Sequence, residues 1–263
     1  MTRFAFLTRP AAALCVALPL LIGAATAPAR AQDAFSDAQK AAIGQVVKDY
    51  LLKNPELIQE AMIELDRRQK EAEKVAAKKA LGDVQASLNN AARSVVIGNP
   101  AGDVTLIEFM DYNCTYCKRS LADVRELIKG DPKLRVVIRD FPVLGPDSVD
   151  ASFVAVALKN QVKGDKYWEF HQKLMDSKGR VGKDRALAVA KEVGADMSRL
   201  AKDMESTETR AMIEETMRIG DALKLQGTPA FIVGEEIIFG AVGTEPLRAS
   251  VNAMRQCGKA NCG

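Results

Sequence analysis

The chain has 263 residues, 48% of them hydrophobic, with 37 basic against 34 acidic side chains and a formal net charge of +3. So small an excess of positive charge gives no reason to invoke nucleic acid or an anionic membrane surface as a partner. The length suffices for one domain with a good core plus an appendage.

The chain opens as an export signal. Residues 1–9 carry Arg3 and Arg9 and no acid, residues 10–29 are apolar and small, and Ala29-Arg30-Ala31 fits a small-x-small cleavage site ahead of Gln32. An uncleaved membrane anchor is the alternative, since the uncharged stretch is long enough to span, but its alanine content, Pro19 and Pro28 weigh against it. Cys15 follows Leu14 rather than a small residue, which argues against a lipoprotein signal. Cleavage after Ala31 removes three arginines and no acid and leaves 34 basic against 34 acidic residues, so the basicity belongs to the signal. Four cysteines remain as two close pairs, as expected in an oxidising compartment such as the periplasm.

Residues 36–92 contain no strand-like run. Ile43, Val46, Val47, Tyr50 and Leu51 make an apolar stripe. Asn54-Pro55 then supplies an N-cap and an N1 proline for a second helix, along which Leu57, Ile58, Ala61, Met62 and Leu65 continue the stripe. Residues 67–79 are charged and alanine-rich, as in a solvated helical spacer. A stripe without a domain-sized core needs either the following domain or another copy of itself, and the spacer favours self-association. The organisation expected is a signal at 1–31, a helical segment at 32–94 and a single domain at 95–263.

That domain is organised around two cysteines. Val104 to Met110 reads as a strand, and Leu121, Val124, Leu127 and Ile128 recur at helical spacing, with the switch at Asn113. Asn113 as N-cap puts Cys114 on the first helical position, where unpaired amides and the helix dipole favour a thiolate. Cys114 is therefore the expected nucleophile. Cys117, one turn further, is placed to resolve a mixed disulfide, and burial keeps it a thiol until it attacks. A CxxC is also half of a zinc site, but that needs a second ligand pair, and the only histidine is His171.

A further strand runs from Leu134 to Phe141, followed between about residues 147 and 226 by four helical runs: 149–160, 166–175, 185–193 and 207–225. Trp168, Phe170, Leu174 and Met175 read as core, and His171 as a structural or surface residue rather than a catalyst. After Gly227-Thr228-Pro229 come two short strands, 230–233 and 236–239, and a closing helix at 245–254. A β-α-β unit, a helical insertion and β-β-α make an α/β thioredoxin fold with an inserted helical domain. Cys257 and Cys262 enclose a short polar loop after the last helix. They read as a structural disulfide contributing roughly 2 kcal/mol by loop closure, with a second redox pair as the alternative.

Glu-Phe-x-Asp-Tyr-x-Cys-x-Tyr-Cys-Lys at 108–118, Tyr167-Trp168-Glu169-Phe170-His171 and Gly227-Thr228-Pro229-Ala230-Phe231 together resemble the DsbA-like thiol:disulfide oxidoreductases over about residues 95–256. Residues 49–56, Asp-Tyr-Leu-Leu-Lys-Asn-Pro-Glu, are similar to the extension of the ScsC (suppressor of copper sensitivity) branch, some of whose members self-associate through it. The resemblance implies a cis Thr228–Pro229 bond facing the CxxC, where an extended client segment pairs with the Thr228 backbone beside Thr115 and Tyr116. It also implies that Glu108 is a partly buried acid able to take and return the Cys117 proton, the alternative being a salt-bridged strand residue. Asp111 and Lys118 either tune the site or are simply solvated.

Strongly oxidising members carry histidine between the cysteines, where this chain has Thr115-Tyr116. Tyrosine supplies no positive charge to the Cys114 thiolate, so a weaker oxidant is expected. Thr228 before Pro229 and the extension resemble disulfide isomerases. Isomerase or reductase action on client cysteines is therefore expected ahead of dithiol oxidation, with no cofactor beyond the redox pair. A DsbD-like or DsbB-like membrane partner would reset that pair. The alternative of a different class is a nonenzymatic copper-tolerance protein, with reduced Cys114 and Cys117 holding Cu(I).

Overall fold

The computed structural model describes residues 35–90 and 93–263. The export signal expected at residues 1–31 lies outside the described residues. The chain divides into two units at Ile63/Glu64.

In the first unit, α1 (Asp37–Lys53) is started by a capping box: the Ser36 hydroxyl accepts the Gln39 N–H, and the Gln39 side chain accepts the Ser36 N–H. Asn54 stops it, its carboxamide donating to the Tyr50 carbonyl. The next helix, α2 (Glu56–Leu88), begins directly after Pro55. No residue of α1 is buried, and Ile43, Val46, Val47, Tyr50, Ile58 and Met62 are 46–68% exposed.

The second unit is built on a five-stranded sheet in the order β1-β3-β2-β4-β5. Strand β2 (Val104–Met110) runs parallel to β3 (Leu134–Asp140), the two joined by α3 (Thr115–Gly130). β4 (Ala230–Val233) pairs antiparallel with β2, and β5 (Glu236–Phe239) antiparallel with β4. β1 (Val95–Gly98) adds an antiparallel edge to β3. It is an element the sequence did not announce, because its three apolar residues show no period.

Alternation along β2 sorts the two faces. Ile107 and Phe109 join Val137, Phe141 and Ile232 under α8 (Thr207–Ala222) and the end of α2. Leu106, Val136 and Phe231 face α3 and α9 (Thr244–Cys257) through Leu121, Val124, Leu127, Leu247 and Val251. The same parity places Glu108 on the α3 side.

The boundary expected at residue 94 cuts through this packing. Leu81 and Leu88 of α2 are 2% and 1% exposed and belong to the core of the second unit. Arg139, itself buried, donates to the carbonyls of Ser87, Leu88 and Arg93, and so caps the C-terminal end of α2 from the sheet. Only the exposed stretch before these turns, with ion pairs such as Arg68–Glu64 and Lys70–Asp66, has the character of a solvated helix.

Between β3 and β4 lie five helices rather than four: α4 (Pro146–Leu158), α5 (Asp165–Met175), α6 (Lys183–Glu192), α7 (Met197–Met204) and α8. The additional one, α7, is capped by Asp196, whose carboxylate accepts the N–H groups of Ser198 and Arg199. Phe170, Leu174 and Met175 are buried as expected, while Trp168 is partly exposed and packs at the edge of the core.

Candidate functional site

The site forms where β2 ends and α3 begins. Asp111 is fully buried: one carboxylate oxygen accepts the Asn113 N–H at 2.8 Å and the Ser148 hydroxyl at 2.7 Å, the other the Leu144 N–H at 3.0 Å. Asp111 is therefore a structural anchor of the turn and not a solvated residue. Asn113 is not the N-cap. Its carboxamide bridges 68 residues to Val181, accepting the N–H at 2.7 Å and donating to the carbonyl at 2.8 Å, and donates also to Ser148.

Cys114 occupies the N-cap itself, with extended backbone angles (φ −78°, ψ 117°), and its sulfur accepts the Cys117 N–H at 3.4 Å. Thr115 becomes the first helical residue. The thiol thus sits one position earlier than the spacing predicts, as a direct acceptor for the helix amides.

As a thiol, Cys114 donates to the Thr228 carbonyl at 3.1 Å, so the loops at 114 and 228 meet. The Thr228–Pro229 bond is cis. The Cys117 thiol as donor, then the Thr228 side chain and the amides of Cys117 and Tyr116, bring the pKa of Cys114 down to about 5 against the opposing effect of burial. A thiolate is therefore sustained here without histidine between the cysteines. Cys117 is 0% exposed, and burial first, with the Cys114 sulfur and Glu108 adding to it, drives its pKa far above the usual thiol range.

Glu108 lies beneath the pair, 2% exposed, its carboxyl accepting from the Ser120 hydroxyl at 3.2 Å. Among the described residues it has no cationic partner, so the salt-bridged alternative is not met. Burial pushes its pKa up to about 8, Ser120 opposing and Cys114 and Asp123 adding. Lys118 donates to the Ser177 carbonyl at 2.8 Å, and partial burial lowers its pKa.

Thr115 and Tyr116 are exposed beside Cys114, with the Arg119 guanidinium 4.8 Å from the centre of the Tyr116 ring. His171 is buried, stacks on Trp168 and lies 3.2 Å through Nδ1 from the Tyr112 hydroxyl. Burial takes its pKa down to about 3, so it is a neutral structural residue. Cys257 and Cys262 form a disulfide across the end of α9. Ser120 and Ser148 belong to no motif in the sequence. The available signal for Ser120 was a hydroxyl among the apolar positions of α3.

Among the described residues no group of three or more His, Cys, Asp or Glu side chains is placed to hold a metal ion. For two thiolates to hold Cu(I) together, Cys117 would have to give up a proton that burial holds. Among the described residues no helix is long and apolar enough to cross a membrane.

Residues 89–253 match the thioredoxin family, and residues 39–72 match the N-terminal domain of the copper resistance protein ScsC. A solved thioredoxin-like oxidoreductase from Silicibacter pomeroyi is 40% identical, covering 65% of this chain and 97% of that one, with a TM-score of 0.61. Proteus mirabilis ScsC in a transitional conformation is 27% identical over 83% of this chain and 97% of that one, with a TM-score of 0.60. Disulfide bond formation protein D of Bacillus subtilis is 26% identical over 174 residues, 59% of this chain and 74% of that protein. The chain spans only about a quarter of the length of the Na(+)/H(+) antiporters it also matches, from Salinispora and Herminiimonas. With more than half of its length in the family match and the ScsC domain in front, the chain belongs to the thioredoxin family, in its DsbA-like, ScsC-type branch.

Proposed function

We propose that the protein is an exported, periplasmic thiol:disulfide oxidoreductase acting on cysteines of client proteins through Cys114 and Cys117, as an isomerase or reductase ahead of an oxidase. The observation that carries this reading is the division of labour between the two sulfurs. Cys114, its pKa drawn down to about 5, lies at the helix start 3.1 Å from the Thr228 carbonyl, while burial holds Cys117 as a thiol. The names of the related Silicibacter oxidoreductase and the Bacillus disulfide bond formation protein support the same chemistry.

In the proposed cycle the Cys114 thiolate attacks a client disulfide, forming a mixed disulfide and releasing one client thiolate. Ionisation of Cys114 ends its S–H bond to Thr228, which frees that carbonyl for the N–H of an extended client segment; Pro229 offers no competing N–H. Exposed Tyr116, Val143, Leu144, Phe239 and Val242 supply apolar contact for an unfolded client. Cys117 then displaces the client, its proton passing to Glu108. Isomerisation is favoured over oxidation by Thr228 before Pro229 and by the apolar extension, whose exposed stripe over residues 43–65 associates with other copies. A DsbD-like partner in the membrane would keep the pair reduced, and a DsbB-like one would keep it oxidised.

The test is the resting redox state of Cys114 and Cys117 in cells, trapped by acid quenching and thiol alkylation. A mostly reduced pair supports the isomerase or reductase, and a mostly oxidised pair replaces it with the oxidase. In vitro, the alkylation rate of Cys114 is expected to rise through about pH 5. A midpoint above 8 would remove the activated nucleophile from the reading.

A further inference from the structure

Apart from Cys117, Ser120 is the one polar side chain among the buried positions of α3. Its Oγ lies 3.2 Å from Glu108 Oε1 and 3.0 Å from the Cys117 carbonyl oxygen. A serine hydroxyl has one proton to give, and a carbonyl oxygen only accepts, so the two contacts are donated together only if Glu108 is itself a donor. With Glu108 protonated, its O–H donates to Ser120 Oγ and Ser120 donates to Cys117 O. With Glu108 ionised, the hydroxyl turns to the carboxylate and leaves the Cys117 carbonyl to the helix.

We propose that Ser120 is a positioning residue of the redox cycle, a hydroxyl whose direction reverses as Glu108 gains and loses the proton of Cys117. The inference rests on the thiol–disulfide reading above. In the step concerned, the Cys117 thiol gives its proton to the Glu108 carboxylate and its electron pair to the Cys114 sulfur. The Cys114–Cys117 bond forms, the bond from Cys114 to the client sulfur breaks, and the client leaves as a thiolate.

The groups acting on Glu108 carry no positive charge. They are Ser120, Cys117 and Asp123 of α3, Cys114 at its N-cap and Tyr112 of the preceding turn, while the partners in register on β3 and β4 are Ile138 and Phe231. Among the described residues Ser120 is thus the one group that favours the carboxylate, and the direction of its effect on Glu108 agrees.

The test follows release of a peptide thiol from a mixed disulfide on Cys114 as a function of pH. Removing the hydroxyl with Ser120→Ala is expected to move the rising limb of the rate up by about one pH unit and to slow release at pH 7 about tenfold, with Ser120→Thr restoring both. A wild-type midpoint in Ser120→Ala, with wild-type release intact, overturns the role of Ser120 alone, whereas no release by the wild type overturns the redox reading and this inference with it. Should Ser120→Ala not fold, the infrared band of the Glu108 acid in the wild type, assigned by its loss in Glu108→Gln, decides. A band shifted from that of a free acid by donation of its O–H, persisting in Ser120→Thr, is expected, and the frequency of an unbonded acid overturns the proposal.

Discussion

Helices α1 and α3 are nearly the same length, 17 and 16 residues, and both carry apolar side chains at helical spacing, yet α1 buries none of its residues and α3 buries five. The stripe of α3 closes over the sheet; that of α1 stays exposed in this chain. Burial is what makes α3 chemically useful. It draws Cys117 and Ser120 over Glu108 in surroundings where a charge is costly, and the two cysteines separate into a thiolate and a locked thiol. On α1 the same hydrophobic term leaves a surface rather than a site.

The largest effect expected lies on the α3 side of this comparison. Cys114→Ala should lower exchange with client disulfides roughly a thousandfold or more while leaving the circular dichroism unchanged. Residual exchange within tenfold of the wild type would move the nucleophile elsewhere. Next comes the end of α2, which sides with α3 by burial. Leu88→Ala should cost about 3 kcal/mol in denaturant unfolding. A loss below about 0.5 kcal/mol, the level of a surface substitution, would return these turns to the extension.

Glu108 gives a pH-dependent effect. Its carboxyl pKa is raised from 4.5 to about 8 by burial, so the folded chain holds a proton that the unfolded chain releases. That linkage leaves stability untouched below the unfolded value, erodes it as pH rises between the two values, and is fully developed above about 8. Glu108→Gln should therefore stabilise the reduced protein on the order of 4 kcal/mol more at pH 8.5 than at pH 4. Equal gains at both pH values would show that Glu108 is not a neutral acid in the fold.

What could be read from sequence follows the range of the interactions involved. The change of period from Val104–Met110 to Leu121–Ile128 is local, and it located the strand, the helix and both cysteines. The cap was off by one residue, because the Asn113 carboxamide is taken by Val181, far along the chain. Asp111 looked like any loop acid, since its partners Leu144 and Ser148 come from beyond β3. Leu81 and Leu88 stand seven apart in an alanine-rich, charged helix, too sparse to declare a face. They are nonetheless enough to fill the space between α8 and the sheet. β1 and α7, four and eight residues long, are too short for periodicity to register.

The smallest effect on stability, and the sharpest on assembly, is expected from α1. Val46 is 68% exposed at the centre of its stripe, so Val46→Glu removes no buried contact of the single chain. Unfolding of the second unit should change by less than about 0.5 kcal/mol. If the stripe is covered by other copies, each copy would then have to bury a charge without a partner, and the complex should fall apart. The expected outcome is a drop in solution mass to that of one chain, together with loss of disulfide isomerisation but not of simple disulfide reduction. A single-chain mass already in the wild type would remove self-association from the reading. An unchanged larger mass in Val46→Glu would place the contact on another face. Either result would leave the chemistry at Cys114 as it stands, because nothing in that site depends on α1.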